Sequence, residues 1–139
     1  KFAKQKNVKV LLSSQDFNKT PSKTEMTEMI YDMDHLGADI CKVAYMPNDM
    51  TDVLNILESS NDIHTERNDI PFIMIGMGEL GRLTRLTGEL FGSVLTFASS
   101  GKHASAPGQM AIPELRLSMN LIGDGNEGDF VVKKKDSKN

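Results

Sequence analysis

The chain is poor in the features that define several protein classes. It has a single cysteine, Cys41, among 139 residues. One thiol excludes an intramolecular disulfide framework and suits a reducing compartment. No apolar run is long enough to cross a bilayer, and no segment reads as a signal peptide, so a cytoplasmic location is expected. Charge is close to balanced at −3, which gives no electrostatic case for a nucleic-acid partner. Tryptophan is absent and aromatics make up 6% of residues, whereas methionine occurs nine times. A methionine-rich core is adaptable rather than diagnostic. The three histidines, His35, His64 and His103, are dispersed without ligand spacing, so no metal site is expected. No Ser-His-Asp order is convincing either.

What is present is an alternation of short apolar runs with helical patterns. Strand candidates are Val8–Ser14, Ile40–Met46, Pro71–Met77 and Ser93–Ser99, each bounded by turn residues. After the first strand, Ser22 and Glu25 form a capping box, and Gly37 marks the helix end. Met26, Met29, Ile30, Met33 and Leu36 then make an apolar stripe at helical spacing. The second helix is expected over about Asp49 to Ser59, with Met50, Val53, Leu54 and Leu57 inward. A third runs from about Arg82 to Leu90, and a fourth starts at Pro113, a residue favoured at the first helical position. Phe2 to Asn7 reads as the last turn of a helix feeding the first strand.

Four strand-helix units predict an α/β fold with a parallel sheet. They also make half of a (β/α)₈ barrel, which typically needs about 250 residues. The expected division is a half-barrel over residues 1–122 and a flexible polar tail over 123–139, with a run of lysines at Lys133 to Lys135. Half a barrel exposes strand edges, which predicts completion by association, as a homo-oligomer or with a separate N-terminal half.

Lys42 is the most informative residue. It lies inside Ile40-Cys41-Lys42-Val43-Ala44-Tyr45-Met46, a run apolar on both faces. Such strands are covered on both sides. Two readings stand. A desolvated lysine loses affinity for its proton and becomes a nucleophile able to form a Schiff base with a carbonyl compound. Alternatively, its stem packs while its head reaches water. Alternation places Cys41 on the opposite face and Ala44 and Met46 on the face of Lys42.

Barrel function collects at the C-terminal ends of the strands. The loop SSGKHASAPGQ there is small, polar and Gly-rich, a composition suited to a lid. Ser105 and Gln109 offer hydrogen bonds to a hydroxylated ligand, and His103 is a candidate acid or base. Arg85 can grip a carboxylate in bidentate fashion or pair with Glu89 one helical turn on. Gly76-Met77-Gly78-Glu79-Leu80-Gly81 imitates a dinucleotide fingerprint but lacks the acidic residue that should follow.

The segments SSQDFNKTP, GADICKVAYMP, IMIGMGELGRLTRLTGELFGS and TFASSGKHASAPGQ, in this order, resemble the C-terminal half of type I 3-dehydroquinate dehydratases. The resemblance covers roughly Phe2 to Ile122. It implies a (β/α)₈ barrel of the shikimate pathway that dehydrates 3-dehydroquinate through a Schiff base, without metal or cofactor, usually as a homodimer. By motif, Lys42 resembles the Schiff-base lysine and Arg85 the carboxylate-binding arginine. Ser105 and Gln109 resemble the lid residues. Phe17, Ala44, Met77, Phe97 and Ala106 resemble the apolar wall. The chain departs from the pattern in two ways. Gln15 stands where the family places a catalytic histidine, and the upstream half is absent. These departures imply impaired catalysis, or a non-catalytic ligand-binding or self-assembling half-barrel.

Overall fold

The computed structural model describes residues 2–100 and 104–122. The elements in chain order are α1 (Phe2–Gln5), β1 (Leu11–Asp16), α2 (Lys23–His35), β2 (Ile40–Tyr45), α3 (Met50–Glu66), β3 (Phe72–Gly76), α4 (Arg82–Thr87) and α5 (Ile112–Ile122). A 3₁₀ turn, Gly88–Phe91, extends α4. The expected tail over 123–139 and His103 lie outside the described residues. No helix among the described residues is long and apolar enough to cross a membrane.

The three strands form one parallel sheet in the order β1-β2-β3. β1 pairs with β2 from Leu11↔Ile40 to Asp16↔Tyr45, and β2 pairs with β3 from Cys41↔Phe72 to Tyr45↔Gly76. Parallel strands need crossover connections, and the helices supply them. The capping box is formed: the Ser22 amide donates to Glu25 Oε2 at 2.9 Å, and the Glu25 amide donates to Ser22 Oγ at 3.3 Å. Asp49 caps α3 by accepting from the Asp52 amide at 2.9 Å.

The sheet has two apolar faces. On one, Cys41, Val43, Tyr45, Phe72 and Met74 pack with Met26, Ile30 and Met33 of α2 and Ile56 and Ile63 of α3. On the other, Ala44, Ile73, Ile75 and Met77 cluster with Ile40, Met46 and Phe97. Each fully buried side chain of this size is worth about 1.5–3 kcal/mol. The assignment of Cys41 and Ala44 to opposite faces therefore holds, and Met46 joins the Lys42 side.

Several expectations are corrected. Residues 93–99 form no strand: one amide, Val94, donates to Phe72 O at 2.9 Å, and Ser99 makes an isolated bridge with Ala111. One ladder bond at the start of a segment does not hold an extended pairing against chain entropy. The buried stripe of α2 is narrower than its apolar pattern, because Leu36 stands 78% exposed past the helix. Helix α3 runs on to Glu66, and Met50 and Leu54 face solvent rather than the core.

Candidate active site around Lys42

Strand β2 is the central strand and carries Lys42 into the second apolar face. Register places Ser13 on one side of Lys42 and Ile73 on the other. Cβ directions alternate along a strand, so Gln15, Ala44 and Ile75 share this face one step further toward the C-terminal ends. The Lys42 side chain is half-buried, with Nζ 5.1 Å from the centroid of the Phe97 ring. Among the described residues no carboxylate pairs with it. Burial holds its pKa below the usual lysine range, and the positive charge of Arg85 pushes it the same way.

Arg85 faces inward. It is 3% exposed and makes no ion pair with Glu89. Its Nη2 donates to the Pro107 carbonyl at 3.0 Å, while its Nε is buried without a hydrogen-bond partner among the described residues. Burial pulls the guanidinium pKa down, yet arginine remains charged. A buried donor lacking a partner costs roughly 1–3 kcal/mol, an arrangement that an anionic ligand would relieve.

The turn that delivers Arg85 is held by its neighbour. Thr84 Oγ1 accepts from the Gly76 amide at 2.8 Å and donates to the Gly81 carbonyl at 2.7 Å. The backbone of Gly81 lies against Gly76, leaving no room for a Cβ. Nothing in the sequence pattern singles out Thr84. Ile73 and Ile75, also missing from the sequence-based site, were findable from alternation along β3.

Ser105 and Gln109 meet each other: the Ser105 amide and Oγ both donate to Gln109 Oε1, each at 2.9 Å. Ala106 is half-buried between them. Ala44, Met77 and Phe97 belong to the apolar cluster beside Lys42. Phe17 does not: it lies beyond the end of β1 and is 53% exposed. Gln15 is exposed on the edge strand. A separate cleft of about 370 Å³ between β1 and α2 is lined by Asp16, Glu25, Glu28 and Asp32, with Gln15 and Tyr45 also on its wall. Four carboxylates make it hostile to an acidic ligand.

Residues 1–126 match the protein family Type I 3-dehydroquinase. The 3-dehydroquinate dehydratase of Clostridium novyi is 44% identical over 122 residues, which is 88% of this chain and 48% of that protein. That of Clostridioides difficile is 46% identical over 121 residues, 87% of this chain and 47% of the relative. The chain belongs to the type I 3-dehydroquinase family.

Solved structures agree. The type I 3-dehydroquinate dehydratase from Clostridium difficile, with covalent modified comenic acid, superposes with a TM-score of 0.80 at 45% identity, covering 87% of this chain and 47% of that one. The enzyme from Geobacillus kaustophilus gives 0.81 at 38% identity, covering 86% and 46%. The chain thus spans about half the length of the curated relatives it matches. Along β2, Lys42 lies mid-strand, and Arg85 and the Ser105–Gln109 pair belong to α4 and to the segment before α5.

Proposed function

We propose that this chain is the C-terminal half of a (β/α)₈ barrel and carries the Schiff-base half of a 3-dehydroquinate dehydratase site. The observation that carries the reading is Lys42, an amine with a depressed pKa on an apolar face beside the buried cation Arg85. The neutral amine adds to the C3 ketone, and the carbinolamine takes up one proton from solvent and loses water, giving an iminium. The iminium draws electrons from the adjacent C2–H bond, so the C2 proton becomes acidic. Solvent water takes that proton, and the C1 hydroxyl then leaves with a proton from solvent as water, forming the conjugated product. Hydrolysis then returns the ketone and the free lysine. Arg85 fits the substrate carboxylate through its unpartnered Nε, and Ser105 and Gln109 fit ring hydroxyls. Lys42 is itself the electron sink, so the sequence asks for no metal or cofactor.

Gln15 limits this chemistry. An amide exchanges no proton near neutral pH. Losing a positioned acid/base is worth about two to four decades in rate. The iminium would form slowly and clear slowly. That same residue favours a second reading, in which the chain binds the ligand or another chain without turnover.

Completion of the barrel belongs to the proposal. Leu11, Ser13 and Gln15 leave the second face of β1 open, and among the described residues β1 pairs only with β2. A second copy or an N-terminal half would cover this edge. The test is to assemble the chain with the N-terminal half of the Clostridioides difficile relative and follow the conjugated product by ultraviolet absorbance. Gln15→His should raise turnover by about two to four decades. An assembled barrel in which Gln15→His is no faster would contradict the reading.

A further inference from the structure

We infer that Arg85 is a positioning residue for the Ser105–Gln109 pair, seating residues 104–109 against α4 and the β3–α4 turn through the Pro107 carbonyl. The inference rests on the dehydratase reading for its consequence but not for its geometry.

Three observations carry it. Arg85 Nη2 donates to Pro107 O at 3.0 Å from a side chain that is 3% exposed. A part-buried, charge-assisted hydrogen bond of this kind is among the stronger ones a loop can have. Next, Gly108, at φ +78°, rests against the Gly78 carbonyl, and a Cβ there would collide with it. Gly78 itself has φ +70°. The loop and the β3–α4 turn therefore meet backbone to backbone, beside the arginine's own helix. Finally, the Ser105 amide and hydroxyl close on Gln109 Oε1, and the Gln109 amide donates to Ala106 O at 3.3 Å. The pair spans the seated dipeptide Pro107-Gly108 from both sides. With Thr96 Oγ1 donating to the Arg85 carbonyl at 3.2 Å, the arginine joins the loop to the segment that brings Phe97 over Lys42.

The consequence is that one guanidinium serves two tasks with different chemical demands. Seating the loop needs one donor to one carbonyl. Gripping a carboxylate in a fork needs the planar arrangement that only arginine has.

Hydrogen exchange on the intact chain, without ligand, tests this. The amides of Ser105 and Gln109 are the reporters. Arg85→Met should speed their exchange roughly tenfold or more, while amides of β2 keep their rates. Arg85→Lys retains a donor and should restore slow exchange at both amides, yet not recover binding of 3-dehydroquinate measured by calorimetry. Gly108→Ala leaves Arg85 intact and pushes a Cβ into the Gly78 carbonyl, so it should speed the same two amides. Unchanged exchange at Ser105 and Gln109 in Arg85→Met, or in Gly108→Ala should the first variant fail to fold, would overturn the inference. The exchange readout needs no turnover, so its failure is distinct from failure of the dehydratase reading.

Discussion

Lys42 Nζ lies 5.1 Å from the centre of the Phe97 ring, across the boundary between the sheet and a segment that forms no strand. A cation over a ring face is stabilised by the ring's quadrupole, by about 0.5–1 kcal/mol at accessible sites. This contact favours the ammonium, against burial and Arg85, which favour the free amine. Phe97→Leu removes the ring and keeps an apolar side chain. The Lys42 pKa should then fall further, as read by NMR titration of its side-chain carbon beside Nζ. A titration that stays in place or moves upward would contradict the contact.

The first apolar face should bear most of the stability. Phe72 is 1% exposed and packs among Cys41, Met74 and the residues of α2 and α3. Phe72→Ala should cost about 3–5 kcal/mol in denaturant unfolding. Phe17 is 53% exposed, and Phe17→Ala should change stability by no more than about 0.5 kcal/mol. Comparable losses from the two would mean that Phe17 packs into the core.

Tyr45 sets an alkaline limit. Burial, with the nearby charges of Asp16 and Glu25, pushes its phenol up to about 12. An unfolded tyrosine loses its proton near 10. Between about pH 10 and 12 the unfolded chain binds fewer protons than the folded one, so stability falls as pH rises. Tyr31 is shifted upward as well, so the difference between the natural chain and Tyr45→Phe isolates Tyr45. The variant should lose less stability across that window, by unfolding midpoints measured at pH 9 to 12. Parallel losses would contradict the assignment.

Much of this was legible in the residues themselves. The strands β1, β2 and β3 announce themselves by short apolar runs, and Ser22 with Glu25 marks the start of α2. Lys42 stands out because a charge interrupts an apolar strand, and alternation alone assigns Cys41 and Ala44 to opposite faces. The Ser93–Ser99 run has strand composition too, but a strand needs ladder partners that composition does not supply. Arg85 sits at a spacing that suits Glu89 as well as a pocket, and only packing turns it inward. Its partner on the loop is a backbone carbonyl, which leaves no trace in side-chain identity. The chain's membership of its family was legible from motif order, while the place of Phe17 outside the apolar cluster was not.

The central claim is that Lys42 is a carbonyl-reactive amine. The direct measurement is to incubate the chain with 3-dehydroquinate, reduce with borohydride, and locate the added mass by peptide mass spectrometry. The account predicts a reduced adduct on the peptide containing Lys42, absent in Lys42→Met, and formed at lower pH than labelling of ordinary surface lysines. Adduct spread over exposed lysines such as Lys9, with none on Lys42, would contradict it.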